Sequence, residues 1–126
     1  MGKVLVFIFD GMTDYETTLI SHLLCADAGK EVIPIAYNDK LIKGRSGFIY
    51  KPEKVISDIL TDDVEGLIIS GGWFKEIKEE FIDLINDLNS KIYLKMKRIE
   101  KTLLILLKDY NFYFRNSLRS FFFSFV

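Results

Sequence analysis

A pair of glycines is the first feature of this chain that could do chemistry. The segment "GLIISGGWFKEI", residues 66–77, runs from an apolar stretch into Gly71 and Gly72 and then into an amphipathic pattern. In an open α/β sheet, ligands bind in the crevice beyond the carboxyl ends of the strands. The bare amides of this pair are therefore candidates for contacting a ligand, although a turn from strand to helix also commonly needs glycine.

The single cysteine and the single histidine are the other residues whose types suggest chemistry. One cysteine excludes an intrachain disulfide framework and any multi-cysteine metal site, and we predict neither a metal nor a cofactor. Cys25 would share a helix with Glu16, roughly 13.5 Å away along the axis and half a turn around it, so the two side chains cannot meet. We interpret Cys25 as a surface or interface thiol without a catalytic partner, and His22 as a residue on the flank of the helix.

Glu16 itself has a structural explanation. Thr13 to Glu16 spells T-x-x-E, the pattern of a capping box at the start of a helix. Helical spacing then continues to Ala28-Gly29, which predicts one helix over this stretch. The apolar residues that repeat at this spacing are Tyr15, Leu19, Ile20, Leu23 and Leu24.

Strand and helix patterns alternate along the first 90 residues. Apolar, β-branched runs predict strands over 3–9, 31–37 and 64–70, where Pro34 favours an edge or bulged position in the second of them. Glycines around a polar turn predict a hairpin over 40–50, and helices are predicted over 51–60 and 75–89. This alternation is typical of a doubly wound, mostly parallel α/β sheet. No glycine-rich nucleotide-phosphate motif is present.

The chain changes character near residue 90, where we mark a boundary between segments 1–90 and 91–126. The first segment carries 9 Lys and Arg against 16 Asp and Glu, and the second carries 8 against 2. The second segment contains no Gly, Pro or Ala, yet it holds 9 of the 18 aromatic residues.

Three explanations for this basic, aromatic tail stay open. It can be the product of a shifted reading frame, since its residue types are those that AT-rich codons supply. The stretch "KIYLKMKRIEKTLLILLK" can instead be an amphipathic helix that packs on the sheet or on a partner. The basic-aromatic mixture can also bind nucleic acid or an anionic membrane surface, but no spacing matches a nucleic-acid motif, and we predict neither partner.

Targeting signals do not stand out. Lys3 leads directly into a predicted strand rather than a signal-peptide pattern, and no apolar run reaches the roughly 20 residues that a membrane-spanning helix needs. With one cysteine, these features favour a cytoplasmic protein.

The order of the features resembles the DJ-1/PfpI family, whose members have a class I glutamine-amidotransferase-like, flavodoxin-like fold and include the ThiJ-type proteins. The resemblance rests on "KVLVFIFDGMTDYET", "GKEVIPIAY", "SGFIYKPEKVISDI" and "DVEGLIISGGW", and covers residues 3 to about 90. It implies that Glu16 is the acid that hydrogen-bonds a nucleophilic thiol, and that Gly71 and Gly72 form the loop that stabilises an oxyanion.

The family's nucleophile has no counterpart in this sequence. Its cysteine elbow would fall close to position 99, where the chain reads "KRIEK" without a cysteine or flanking small residues. We therefore expect the first half of the family fold followed by a truncation, and a catalytically inactive relative of the cysteine-dependent amidases, peptidases and glyoxalases. The alternative is a non-catalytic interaction or chaperone-like module whose tail packs on a partner, and a homodimer is a further expected assembly.

Overall fold

A six-stranded sheet forms the centre of the protein. The computed structural model describes residues 2–73, 75–91, 94–95, 104–107, 112–114 and 123–125. Its helices are α1 (Asp14–His22) and α2 (Glu79–Lys91). Its strands are β1 (Lys3–Phe7), β2 (Glu31–Ala36), β3 (Ile42–Lys43), β4 (Ile49–Tyr50), β5 (Lys54–Val55), β6 (Val64–Ile69), β7 (Leu94–Lys95), β8 (Leu104–Leu107), β9 (Phe112–Phe114) and β10 (Phe123–Phe125).

Four parallel strands in the order β5-β2-β1-β6 confirm the predicted sheet. The central strand β1 is apolar on both faces because it lies between two neighbours, and Leu5 pairs with Ile33 on one side and Leu67 on the other. Pro34 lies one strand in from the edge. The edge strand β5 pairs with Ile35 and Ala36 and leaves Pro34 outside that ladder.

The helices cover opposite faces of this sheet. Phe81 on α2 packs against Phe7 on β1, with ring centroids 4.6 Å apart. Because crossovers between parallel strands are right-handed, α1, which leads from β1 to β2, covers the other face. The fold is therefore doubly wound, as predicted.

Several predicted elements differ in the structure. Residues 51–60 form the short strand β5 and a 3-10 turn, Ile56–Asp58, instead of a helix. Pairing with β2 outweighs the weak helical pattern of so short a segment. The second long helix begins at Glu79 rather than at 75, and Ile77, which precedes it, is 63% exposed.

The predicted first helix is also modified. After His22 the chain continues as a π-helical turn, Leu23–Asp27. The buried face of the helical segment is made by Ile20 and Leu24, whereas Tyr15 and Leu19 are exposed. The apolar stripe predicted from the sequence was therefore too wide.

The tail contributes strands where it is described. Strand β8 pairs with β6 in antiparallel fashion, and β7 pairs with β8. Strands β9 and β10 form a separate antiparallel pair. The prediction of an amphipathic helix across this stretch is wrong for residues 94–95 and 104–107, and the rest of that stretch beyond 91 lies outside the described residues. The frame-shift explanation and the boundary near 90 stay predictions.

None of the helices in the described part of the chain combines the length and apolar character needed to cross a bilayer.

Candidate functional site

Glu16 lies in the first turn of α1, and its carboxylate is directed at the loop after β6. The residue is only 6% exposed, and its Oε2 accepts a hydrogen bond from the Gly71 N–H at 2.9 Å. Burial raises the pKa of Glu16 above its usual range, and the bond from Gly71 offsets part of this effect. A buried acid therefore lies beside the loop at the end of a strand.

Gly71 also accepts a hydrogen bond from the start of α1. The Thr13 N–H donates to the Gly71 carbonyl oxygen at 2.7 Å, so helix and loop exchange two hydrogen bonds. Thr13 is the N-cap residue of α1 but makes no side-chain cap bond. The capping-box interpretation of Thr13 and Glu16 is therefore wrong, because Gly71 supplies from another strand what the box would supply locally.

Gly72 explains why the loop carries glycine. Its φ is +134°, a conformation that residues with a Cβ rarely adopt. A Cβ there would lie 2.5 Å from the Gly11 carbonyl oxygen and 2.8 Å from the Met12 Cα. The backbone conformation therefore requires glycine at position 72. The Gly72 N–H donates no hydrogen bond within the part of the chain that the structure describes.

Ser70 adds a buried polar group that the sequence did not single out. Phe7 faces α2, and its register partner Ile69 shares that face. By strand alternation, Ser70 points to the face that α1 covers. Ser70 is 4% exposed, and its Oγ has no hydrogen-bond partner among the described residues.

Cys25 does not join this site. It is a free, exposed thiol on the π-helical turn. Nine residues of continuous helical backbone separate it from Glu16, roughly 13 Å along the axis. His22 is exposed at the end of α1. Glu16 and the glycine pair are thus brought together, and the other two candidates are not.

A second buried acid, Asp14, was missed by sequence reasoning. It is 4% exposed, and its carboxylate accepts bonds from the Ser46 N–H at 3.2 Å, the Ser46 hydroxyl and the Tyr50 hydroxyl at 2.8 Å. Burial alone would raise the pKa of Asp14, but these donors outweigh it and bring the pKa below its usual range. The only sequence signal was a second acid in the first turn of the helix.

A cavity of about 410 Å³ opens beside Asp14, between α1 and the β3–β4 hairpin. Tyr15 and Phe48 line it and are 54% and 70% exposed. Among the described side chains, His, Cys, Asp and Glu form no group of three that could hold a metal ion.

Comparisons with known proteins bear on this arrangement of acid and loop. The sequence profile of the DJ-1/PfpI family matches residues 2–91. The chain belongs to the DJ-1/PfpI family. No curated protein is similar enough in sequence to register as a relative.

Solved structures of DJ-1 proteins have the same fold. A DJ-1 superfamily protein from Agrobacterium tumefaciens is 17% identical, with a TM-score of 0.64 over 72% of this chain and 50% of its own. Oxidized DJ-1 from Toxoplasma gondii is 21% identical, with a TM-score of 0.65 over 75% of this chain and 53% of its own. A third, the VC2308 protein, is 23% identical, with a TM-score of 0.64 over 72% and 49%. The chain therefore spans about half the length of these relatives.

Proposed function

We propose that this chain is a DJ-1/PfpI protein that keeps the acid and the glycine loop of a family site but does not carry out cysteine chemistry. The observation that carries the proposal is the position of Cys25, the only cysteine of the sequence, exposed on a helical turn away from Glu16. A thiol becomes a nucleophile when a neighbouring base or positive charge stabilises its thiolate. Glu16 is too far away to assist.

The loop supports the same proposal. An oxyanion is stabilised by N–H groups that are free to point at it. The Gly71 N–H already donates to Glu16, so of the two inherited amides only that of Gly72 is available within the described residues. In this chain the Glu16 carboxylate and the Gly71 N–H are hydrogen-bonded to each other. We also propose a cytoplasmic location, which the exposed free thiol favours.

Activity of the whole chain tests the proposal. The purified protein would be assayed for amide and peptide hydrolysis and for consumption of an α-oxoaldehyde, beside a DJ-1/PfpI protein that has its cysteine. We expect the same background rate for the wild-type chain, Cys25→Ser and Glu16→Gln. A rate above background that Cys25→Ser abolishes would contradict the proposal.

A second candidate function, an interaction module, is favoured by the exposed apolar residues on α1 and the hairpin. Tyr15, Leu19 and Phe48 are 54%, 38% and 70% exposed. Tyr15 and Phe48 line the 410 Å³ cavity, so this surface has both protruding apolar side chains and a concave region. In a two-fold symmetric dimer the same patch of each subunit forms the interface. The exposed apolar side chains of one copy can then enter the cavity of the other. The partner we propose is therefore a second copy.

Sedimentation equilibrium tests this assembly. We expect a dimer at about 50 μM that Phe48→Ser weakens at least about tenfold. Leu60→Ser is the matched control, because Leu60 is 82% exposed and does not line the cavity. A monomeric wild-type chain, or equal weakening by both variants, would contradict this proposal. The tail does not enter it, since β8 pairs with β6 of the same chain.

A further inference from the structure

The β3–β4 hairpin lies across the start of α1 and is held at two places. Its base is fixed by Lys43, whose carbonyl oxygen accepts from the Gly11 N–H at 2.9 Å and whose N–H donates to Asp10 Oδ1 at 2.8 Å. Ile42, beside it, is 8% exposed and joins the core. The base is therefore bound both by hydrogen bonds and by apolar packing.

The rest of the hairpin, residues 44–50, is called the tip here and depends on a different residue. Asp14 accepts two bonds from Ser46 and one from Tyr50. Gly44 lets the tip come this close, because a Cβ there would lie 2.5 Å from Asp14 Oδ2. Asp14 thus binds the tip both in its turn, at Ser46, and at its last residue, Tyr50.

The tip in turn touches the loop of the candidate site. The Arg45 N–H donates to the Met12 carbonyl oxygen at 3.0 Å, and Met12 is bridged to Gly72. The Arg45 guanidinium stacks over the Trp73 ring, 4.5 Å from its centroid. These contacts connect the hairpin tip to residues 71–73.

Apolar packing of the tip comes from Tyr50, which is half-buried against the core. Each strand of the hairpin is two residues long, and a lone two-stranded hairpin is marginally stable in water. Residues 45–49 are exposed, with Phe48 at 70% and Ile49 at 56%. Segments with few buried apolar contacts open at low free energy. The closed position of the tip therefore depends on its polar bonds.

We propose that the hairpin tip is a strap that opens and closes over the loop at 71–73, and that the Asp14 carboxylate is its catch. Opening removes Arg45 from Trp73 and takes away the cavity wall formed by Arg45, Ser46, Phe48 and Tyr50. Exposure of the strand-end loop and the shape of the cavity then change together. This inference does not depend on the proposed lack of cysteine chemistry.

Hydrogen exchange read by mass spectrometry on the full chain tests the strap. The Arg45 amide donates to the Met12 carbonyl oxygen and the Ser46 amide to Asp14, both outside the tip, so exchange at these two amides reports its opening. Asp14→Asn removes the charge that strengthens the bonds from Ser46 and Tyr50, and we expect the tip to exchange about tenfold faster, through an opening of much lower free energy than the unfolding that exposes β1. Asp27→Asn, an exposed aspartate on the π-helical turn, is the matched control and should leave the tip unchanged.

Two results would overturn the proposal. One is unchanged exchange of the tip in a folded Asp14→Asn chain. The other is tip amides that exchange as slowly as those of β1 in the wild-type chain, because the tip would then open only when the whole fold does. If Asp14→Asn does not fold, Tyr50→Phe decides, since it keeps the carboxylate and removes one donor. We expect a smaller acceleration confined to the tip, of about two- to threefold, and no acceleration would overturn the proposal.

Discussion

Asp14 and Glu16 are two acids on one helix with opposite electrostatic outcomes. Both are almost fully buried, at 4% and 6% exposure. Asp14 accepts three hydrogen bonds and has a lowered pKa, whereas Glu16 accepts one, from Gly71, and has a raised pKa. Burial raises the pKa of both acids, but only at Asp14 do the hydrogen-bond donors outweigh it.

The difference separates a structural acid from one suited to proton transfer. Asp14 accepts three hydrogen bonds and connects α1 to the β3–β4 hairpin. Glu16 uses one carboxylate oxygen for Gly71, and its raised pKa makes its proton available nearer neutral pH. In a chain with a nucleophile beside this loop, Glu16 would be the group able to exchange a proton with it.

The largest expected effect is on the loop that binds Glu16. Gly72→Ala forces a Cβ into a position 2.5 Å from the Gly11 carbonyl oxygen at a φ of +134°. We expect a loss of about 3 kcal/mol in the free energy of unfolding, measured by urea denaturation. Gly47→Ala has a positive φ but open space around its Cβ and should cost about 1 kcal/mol. Equal losses would show that close approach at Gly72 is unimportant.

The next largest effect is expected from removal of Asp14, which accepts three hydrogen bonds. Asp14→Ala leaves the Ser46 and Tyr50 donors without their acceptor, and we expect a loss of about 2 kcal/mol in the free energy of unfolding. Asp27→Ala should stay within about 0.5 kcal/mol of the wild type, because Asp27 is exposed. If thermal and urea unfolding give the two variants the same stability, the bonds at Asp14 contribute nothing.

A smaller effect, of opposite sign, is expected at Ser70. Its buried hydroxyl has no partner among the described residues, so Ser70→Ala removes an unsatisfied polar group and should stabilise the fold by roughly 1 kcal/mol. Ser57→Ala is the control, because Ser57 is exposed. Destabilisation by Ser70→Ala in urea denaturation would mean that the hydroxyl makes a bond in solution.

The smallest effect is a difference in pH dependence. With a raised pKa, Glu16 contributes fully to stability below its ordinary value of 4.5, and this contribution is lost as pH rises through the folded-state pKa. With a lowered pKa, Asp14 contributes above its ordinary value of 3.8, and this contribution is lost as pH falls. Glu16→Gln should therefore gain on the wild type as pH rises, in urea unfolding followed between about pH 4 and 7. Parallel stability curves would contradict the raised pKa.

Hydrophobic patterning was sufficient to predict most of the sheet but failed in short segments. The strands β1, β2 and β6 are continuous apolar runs that read as buried parallel strands. Residues 51–60 offered a proline and a loose helical spacing, and their strand β5 forms only because β2 is beside it. Pairing of this kind depends on the tertiary structure and cannot be predicted from the local sequence.

The candidate site was predicted in part for the same reason. Family resemblance pointed to Glu16 and the glycine pair, and local pattern alone gave the capping box, which the structure contradicts. The bonds of Asp14 reach 32 and 36 residues along the chain, so neither helical periodicity nor turn chemistry could reveal them. Contacts this distant become visible only once the hairpin is folded over α1.

The central claim, that Cys25 and the acid of the candidate site do not act together, is tested most directly by thiol reactivity. The rate of Cys25 alkylation by iodoacetamide would be followed from about pH 5 to 9 in the wild-type chain and in Glu16→Gln. We predict the same rate in both chains at every pH, since roughly 13 Å of helix separates the two residues. A slower reaction or a displaced pH profile in Glu16→Gln would contradict the account and return Cys25 to the site.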